Sequence, residues 1–386
     1  MKKWVALVLG VCLISAMCLT GCSDPAAPEA SETDSDTITF GLAAPITGNF
    51  AESGVMMSVG AKLAVEDINA DGGINGKKVE LMVMDSKSDT KESPEVARKF
   101  VQEEKVVGVV GDCMSSQSMA AAPVYEDGGL VQLSPCSSAT GFPVMGDYQF
   151  SVAGIATDES PFYVDSVLVD TFEVEKLGII YANTDWGTEV AETIRDLAVE
   201  AGIEVVAYEP YMEGDKDFSA ALSKIRQADP DHLLLACQYT EGALIVNQVG
   251  QMGWDIMMST QGSLTQPSFC KLVGDANVAG MASAVFTEDV PEAYAFAQRF
   301  KEHPESGGID PSMRASFSYD AVMLLAEAAK MCGDDLTRAN LRDNLITIQD
   351  FPAVSGGTIS FQPEGYAHRQ YTVVSIQDGV WRPYKK

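Results

Sequence analysis

The sequence predicts an α/β protein of two lobes, each an open, mostly parallel sheet flanked by helices. Three observations carry this. The chain opens on a strand, a helix and a second strand; strand and helix then alternate with little interruption to about residue 286; and 386 residues exceed what one hydrophobic core normally supports.

Residues 38–44 form a short, mostly apolar run, as expected of a strand covered on both faces. Val55, Val59, Leu63, Ala64 and Ile68 then recur at helical spacing. Ser53 or Gly54 can start that helix, and Gly72 and Gly73 stop it. A strand over 79–84 completes the first βαβ unit. Strands follow over 106–110 and 130–133, with a helix over 117–125 between them. In the second half, helices over 158–172, 188–201, 218–227 and 242–252 alternate with strands over 177–181, 204–208, 232–237, near 256–259 and over 281–286. Two consecutive open α/β units follow.

The first residues read as a targeting device. Lys2 and Lys3 precede an apolar run, 4–18, too short for an ordinary membrane span. Residues 1–21 are therefore expected to be a lipoprotein signal peptide, because they end in Leu19-Thr20-Gly21-Cys22, which resembles a bacterial lipobox whose cysteine is diacylated. The stretch 22–37, rich in Ser, Ala, Pro, Glu and Asp, suits a disordered tether. The expected location is outside the cytoplasm, at the membrane, facing periplasm or cell exterior.

Charge and cysteines exclude several classes. The formal charge is −29, and without Lys2 and Lys3 the remaining 24 basic and 55 acidic side chains leave −31. Such a chain repels nucleic acid. Cys113, Cys136, Cys237, Cys270 and Cys332 make an odd number for an exported protein, so at least one thiol stays free or pairs between chains. Cys113 and Cys136 each follow a strand of the same half, so a disulfide between them is one option. His232, His303 and His368 are far apart and no C-x-x-C exists, so no metal and no cofactor is expected. No G-x-S-x-G, H-E-x-x-H or complete phosphate loop is present, and GINGKK at 73–78 lacks the closing Ser/Thr. No enzyme is expected.

The opening stretch resembles one family closely. ITFGLAAPITG (38–48), a long helix ending in Asp67-Ile68-Asn69, the GGI-x-G turn at 72–76 and the strand to Asp85 are together similar to the start of type I solute-binding proteins of the branched-chain amino acid group. The resemblance runs through nearly the whole mature chain. It implies a two-lobed fold with three hinge crossings, near 155–157, 285–288 and 351–355. Lobe one would hold 38–156 plus 287–352, and lobe two 157–286 plus 353–386. It also implies a small amino acid or related polar solute, of the branched-chain amino acid kind, as ligand, hinge closure around it, and permease subunits of an ATP-driven importer as partners.

Site residues come from loops at the carboxyl ends of strands, where open α/β sheets bind ligands. GDCMSSQ (111–117) resembles the family's ligand loop and offers Cys113 and, above all, Ser115. SPCSSAT (134–140) resembles its partner, with Cys136 lending backbone groups and Ser138 a hydroxyl. Together these neutral donors could hold a carboxylate. YANTDWG (181–187) resembles the lid loop, so Trp186 would close over the ligand. Gln238 and Tyr239 follow another strand, and Phe50 and Ser53 lie on the first loop. One departure stands out. Amino-acid-binding relatives place an acid after the strand near 256–259, whereas this chain has TQGS (260–263), so Gln261 is the candidate that would accept from an ammonium in place of that acid. Asp112, Asp185 or Glu241 could replace the lost acid; otherwise an amide, urea or carboxylic acid becomes the ligand. The remaining option is a cell-envelope lipoprotein acting through protein contacts.

Overall fold

The computed structural model describes residues 37–385. The signal peptide, Cys22 and nearly all of the tether lie outside them.

The first half builds one parallel sheet. Its elements are β1 (Thr37–Ala44), α1 (Ala51–Ala70), β2 (Lys78–Asp85), α2 (Glu92–Gln102), β3 (Val106–Val110), α3 (Ser115–Asp127), β4 (Val131–Ser134) and β5 (Gln149–Ser151). The strand order is β2-β1-β3-β4-β5. The helix α2, with Val96, Ala97 and Phe100 buried on one face, was not legible from the sequence pattern used above.

The second half repeats the plan with α4 (Ala156–Phe162), which continues as a looser π-wound turn to Val169, β6 (Lys176–Ala182), α5 (Asp185–Glu200), β7 (Glu204–Tyr211), α6 (Ser219–Gln227), β8 (His232–Ala236), α7 (Tyr239–Gln251), β9 (Met257–Thr260), α8 (Pro267–Val273) and β10 (Val278–Ala282). The chain then returns to the first sheet through α9 (Pro291–Glu302), α10 (Met313–Cys332) and α11 (Arg338–Leu345). Short strands β11 (Phe351–Pro352), β12 (Thr358–Phe361) and β13 (Ala367–His368) form a small antiparallel sheet. Finally β14 (Thr372–Gln377) and β15 (Val380–Pro383) extend the second sheet, whose order is β15-β14-β10-β9-β8-β6-β7.

Packing follows from which faces are apolar. Both faces of the first sheet are covered, one by α1 and α10 with Phe40, Leu42, Phe317 and Leu325, the other by α2 and α3 with Phe100, Val109 and Tyr125. α10 is the pivot of this lobe. It is buried on most sides along most of its length, with Arg314, Ser316, Ser318 and Asp320 enclosed among its apolar side chains, as expected of a helix surrounded by other elements. At Gly60 a Cβ would sit 2.1 Å from the Ala315 carbonyl oxygen, so only glycine lets α1 and α10 touch there. Ile359, Phe361 and Ala367 also enter the first core. The last passage between sheets therefore comes around Arg369–Tyr371, about fifteen residues after the 351–355 crossing implied by the family resemblance, because these apolar side chains pull 353–368 onto lobe one.

The second sheet buries a polar chain. His232 is 1% exposed, and its Nε2 meets Ser259 Oγ at 2.6 Å, with Tyr163 on the same hydroxyl. Burial pushes the His232 pKa down to about 3, so the ring is held neutral.

Candidate functional site

The register of β3 against β4 brings two loops together. Val110 lies opposite Leu133, so both strands end at the same level and the 111–117 and 134–140 loops leave the sheet side by side. Asp112 fixes the first of them: its carboxylate accepts from Ser86 Oγ (2.9 Å), Ser93 Oγ (2.6 Å) and the Cys113 N–H (2.7 Å). That carboxylate is fully engaged and does not face the cleft. Met114 occupies the N-cap of α3 and makes no side-chain capping bond, so Ser115 is not spent on capping its own helix. The first N–H groups of α3 thus have no partner in the helix and open toward the space in front of it. In the second loop Ser134 Oγ accepts from the Ser137 N–H (3.0 Å), and the Ser138 carbonyl accepts from the Ala156 N–H (2.7 Å) at the first passage between lobes.

Lobe two contributes from the opposite side. Gly187 is needed at the start of α5, because a Cβ there would lie 2.2 Å from the Ala182 carbonyl oxygen. Thr184 caps this helix by accepting from the Gly187 N–H (3.1 Å), which leaves the half-buried Trp186 on the cleft side. The lobes touch through Ser116 and Asp185 (2.6 Å), Thr140 and Glu189 (2.9 Å), and Glu52 and Ser268 (2.8 Å). The cleft is closed.

It encloses a cavity of about 90 Å³, room for several waters or one small solute. Cys113, Ser115, Cys136, Ser138, Trp186, Gln238 and Gln261 all line it. Two expected residues do not. Tyr239 turns its ring into the second core, since neighbouring residues at the start of α7 point to different faces and Gln238 takes the cleft side. Ser53 is wholly buried in the first turn of α1, and Phe50, one turn earlier, lines the cavity instead. All five cysteines among the described residues are free thiols, Cys113 and Cys136 included.

The missing acid is present on another element. Glu159, in the first turn of α4, lines the cavity; Gln261 Nε2 approaches its Oε2 at 3.4 Å and Tyr371 donates to its Oε1 at 3.0 Å. Burial, reinforced by nearby Asp158, pushes the Glu159 pKa up to about 8 against the opposing bond from Tyr371. Gln261 Oε1 is buried without any hydrogen-bond partner. A buried acceptor left unpaired beside an acid that burial keeps protonated asks for a donor, preferably a cationic one. Of the other acids considered, Asp185 bonds Ser116 across the mouth, and Glu241, which does line the cavity, accepts from the Gly214 N–H (3.2 Å).

The sequence reading also missed Arg314, Phe317 and Tyr371, which line the same space. Arg314 carried one signal, as the lone Lys or Arg between Lys301 and Lys330. Among the described residues no cluster of His, Cys, Asp and Glu could hold a metal ion.

Two mostly parallel sheets joined at a hinge, with a small cavity of mixed polar and apolar lining between the carboxyl ends of their strands, define a two-lobed receptor for a small solute. The chain belongs to the periplasmic binding protein family, whose model matches residues 37–380. It is 29% identical over 304 residues to the leucine-, isoleucine-, valine-, threonine- and alanine-binding protein of Pseudomonas aeruginosa, covering 78% of this chain and 79% of that protein. A Leu/Ile/Val-binding protein homolog of Brucella abortus is 28% identical over 299 residues, covering 77% and 79%. Among solved structures, the branched-chain amino acid transporter substrate binding protein LivJ of Streptococcus pneumoniae, in complex with isoleucine, superposes with a TM-score of 0.80 at 28% identity over 89% of this chain and 97% of that one. A solute binding protein from R. palustris in complex with benzoate shares the fold at 19% identity and a TM-score of 0.80, over 90% and 95%. These relatives are binding proteins rather than enzymes, and the two solved structures are named as parts of transporters.

Proposed function

We propose that this protein is the lipid-anchored solute-binding subunit of an ATP-driven importer and that it takes a small amino acid by its α-ammonium and α-carboxylate groups. The observation that carries the reading is the pairing of Glu159 with the unpartnered Gln261 Oε1 on one side of the cavity. The α-ammonium sits there, and its charge draws Glu159 into the ionised form. The α-carboxylate sits against Ser115, Ser138 and the open N-terminus of α3, where neutral hydroxyl and backbone donors meet an anion without a second buried charge. Trp186 covers the ligand from lobe two. Hinge motion at the passages between lobes opens and closes the cleft, and the permease subunits recognise the closed form.

Amino acids should raise the thermal midpoint of the protein after it has been unfolded and refolded to strip carried-over solute. Binding to the native state alone stabilises by about 2.7 kcal/mol at a hundredfold excess over Kd, a shift of several degrees. Stabilisation by amides, urea or simple carboxylic acids with none by any amino acid overturns the ammonium assignment. The anchor has its own test. Cys22→Ala should move the protein from the membrane to the soluble fraction, and continued membrane association of the variant removes lipidation from the proposal.

A further inference from the structure

Arg314 is a buried cation with no counter-ion. It is 3% exposed, lines the cavity, and sits at the second position of α10, so the positive end of that buried helix adds to its charge. Its Nη2 donates to Gln238 Oε1 at 3.1 Å. Gln266, with its amide turned so that the oxygen faces the guanidinium, accepts from Nη1 and from Nε (3.3 Å). Both acceptors are neutral amides. They orient the planar fork without neutralising it, and of its five N–H donors some remain for the cavity. Among the described residues no carboxylate lies within ion-pair distance of it. The ionisable neighbours that feel its field are the Cys113 and Cys136 thiols and the Tyr239 phenol. Glu159 instead bonds Gln261 and Tyr371 and shares no hydrogen-bond partner with Arg314.

An aliphatic side chain in front of this guanidinium would strip it of its remaining water and give nothing back, whereas a carboxylate would complete a fork-to-fork pair. From this we infer that the cleft selects an amino acid whose side chain ends in a carboxylate, and that Arg314 takes that carboxylate while the Glu159 side holds the ammonium. The inference rests on the amino-acid reading above and narrows its substrate class.

Titration calorimetry of the refolded full chain with L-glutamate, L-aspartate, L-isoleucine and glutarate tests it. At least one acidic amino acid should bind tenfold or more tightly than isoleucine. Arg314→Met should weaken that ligand a hundredfold or more and abolish or reverse the preference over isoleucine. Gln238→Glu supplies an internal counter-ion while keeping the guanidinium, and should weaken the acidic ligand similarly; it serves as well if Arg314→Met does not fold. Tighter binding of isoleucine than of both acidic amino acids overturns the inference and leaves the amino-acid reading standing. Binding of glutarate with no amino acid keeps the role of Arg314 and overturns the ammonium site instead. Binding of none of the four overturns both.

Discussion

Glu159→Gln is expected to weaken amino acid binding by about 3 kcal/mol, roughly a hundredfold, because it removes the carboxylate that stands beside the unpartnered Gln261 Oε1 and would pair with a desolvated ammonium. The same change should make the empty protein more stable at alkaline pH. The sign follows from the direction of the shift. Burial raises the Glu159 pKa to about 8 in the fold, against its ordinary value of 4.5. Its contribution to stability is thus fully present below pH 4.5 and is lost as pH rises to 8, at about 1.4 kcal/mol per unit for a single proton. The glutamine variant should lack this slope. Binding runs the other way: an ammonium must expel the proton, so wild-type affinity should fall up to about tenfold per unit as pH drops below 8. Calorimetry at pH 6, 7 and 8, with denaturant unfolding of the empty protein at the same pH values, reads both effects. Parallel pH profiles for wild type and variant would remove Glu159 from the site.

Arg369→Met is the second large expectation, and it concerns the fold. Arg369 and Asp320 form an ion pair at 2.9 Å with side chains 3% and 1% exposed. The guanidinium lies 3.8 Å over the Phe317 ring and donates through Nε to the Val152 carbonyl at 2.7 Å, and Asp320 also accepts from the Val354 N–H at 2.9 Å. One side chain therefore joins α10 to two of the passages between lobes. Truncating it leaves Asp320 buried and unpaired, which costs about 3–5 kcal/mol. The free energy of unfolding should fall by that amount, read as a lower denaturation midpoint at unchanged m. Replacing both members, Arg369→Met with Asp320→Leu, should recover much of the loss, since apolar substitution of a whole buried pair is often neutral. A loss below 1 kcal/mol in the single variant would show that the pair holds nothing together.

The opening βαβ unit could be read because its apolar residues keep the periods of strand and helix, and the two serine loops because each follows a strand of the same sheet. α10 could not. A helix buried on most sides, polar residues included, has no clear period to detect, and with it went Arg314 and Phe317. Glu159 was hidden for a different reason: Asp158-Glu159-Ser160 reads as the solvated first turn of a helix, and only the fold of 369–371 over it, with Tyr371, buries that carboxyl. Tyr239 and Gln238 show the limit of strand-end reasoning, which finds the edge of the cleft but not which of two adjacent side chains faces it. The apolar 359–367 segment carried enough information to place itself in lobe one, but residues so close to the second sheet in sequence gave no hint of which core they would join.

The contacts that close the cleft have a consequence for how fast it fills. Asp185 and Glu189 bind hydroxyl and amide groups across the mouth, and Glu192 and Glu213 line the same outer groove. An anionic solute must cross this rim before it meets Arg314, so at low ionic strength it approaches against a repulsive field that counter-ions screen over about 10 Å at 0.1 M salt. The rim therefore governs the rate of capture, while the floor governs how long the solute stays, and the two respond to salt in different degree.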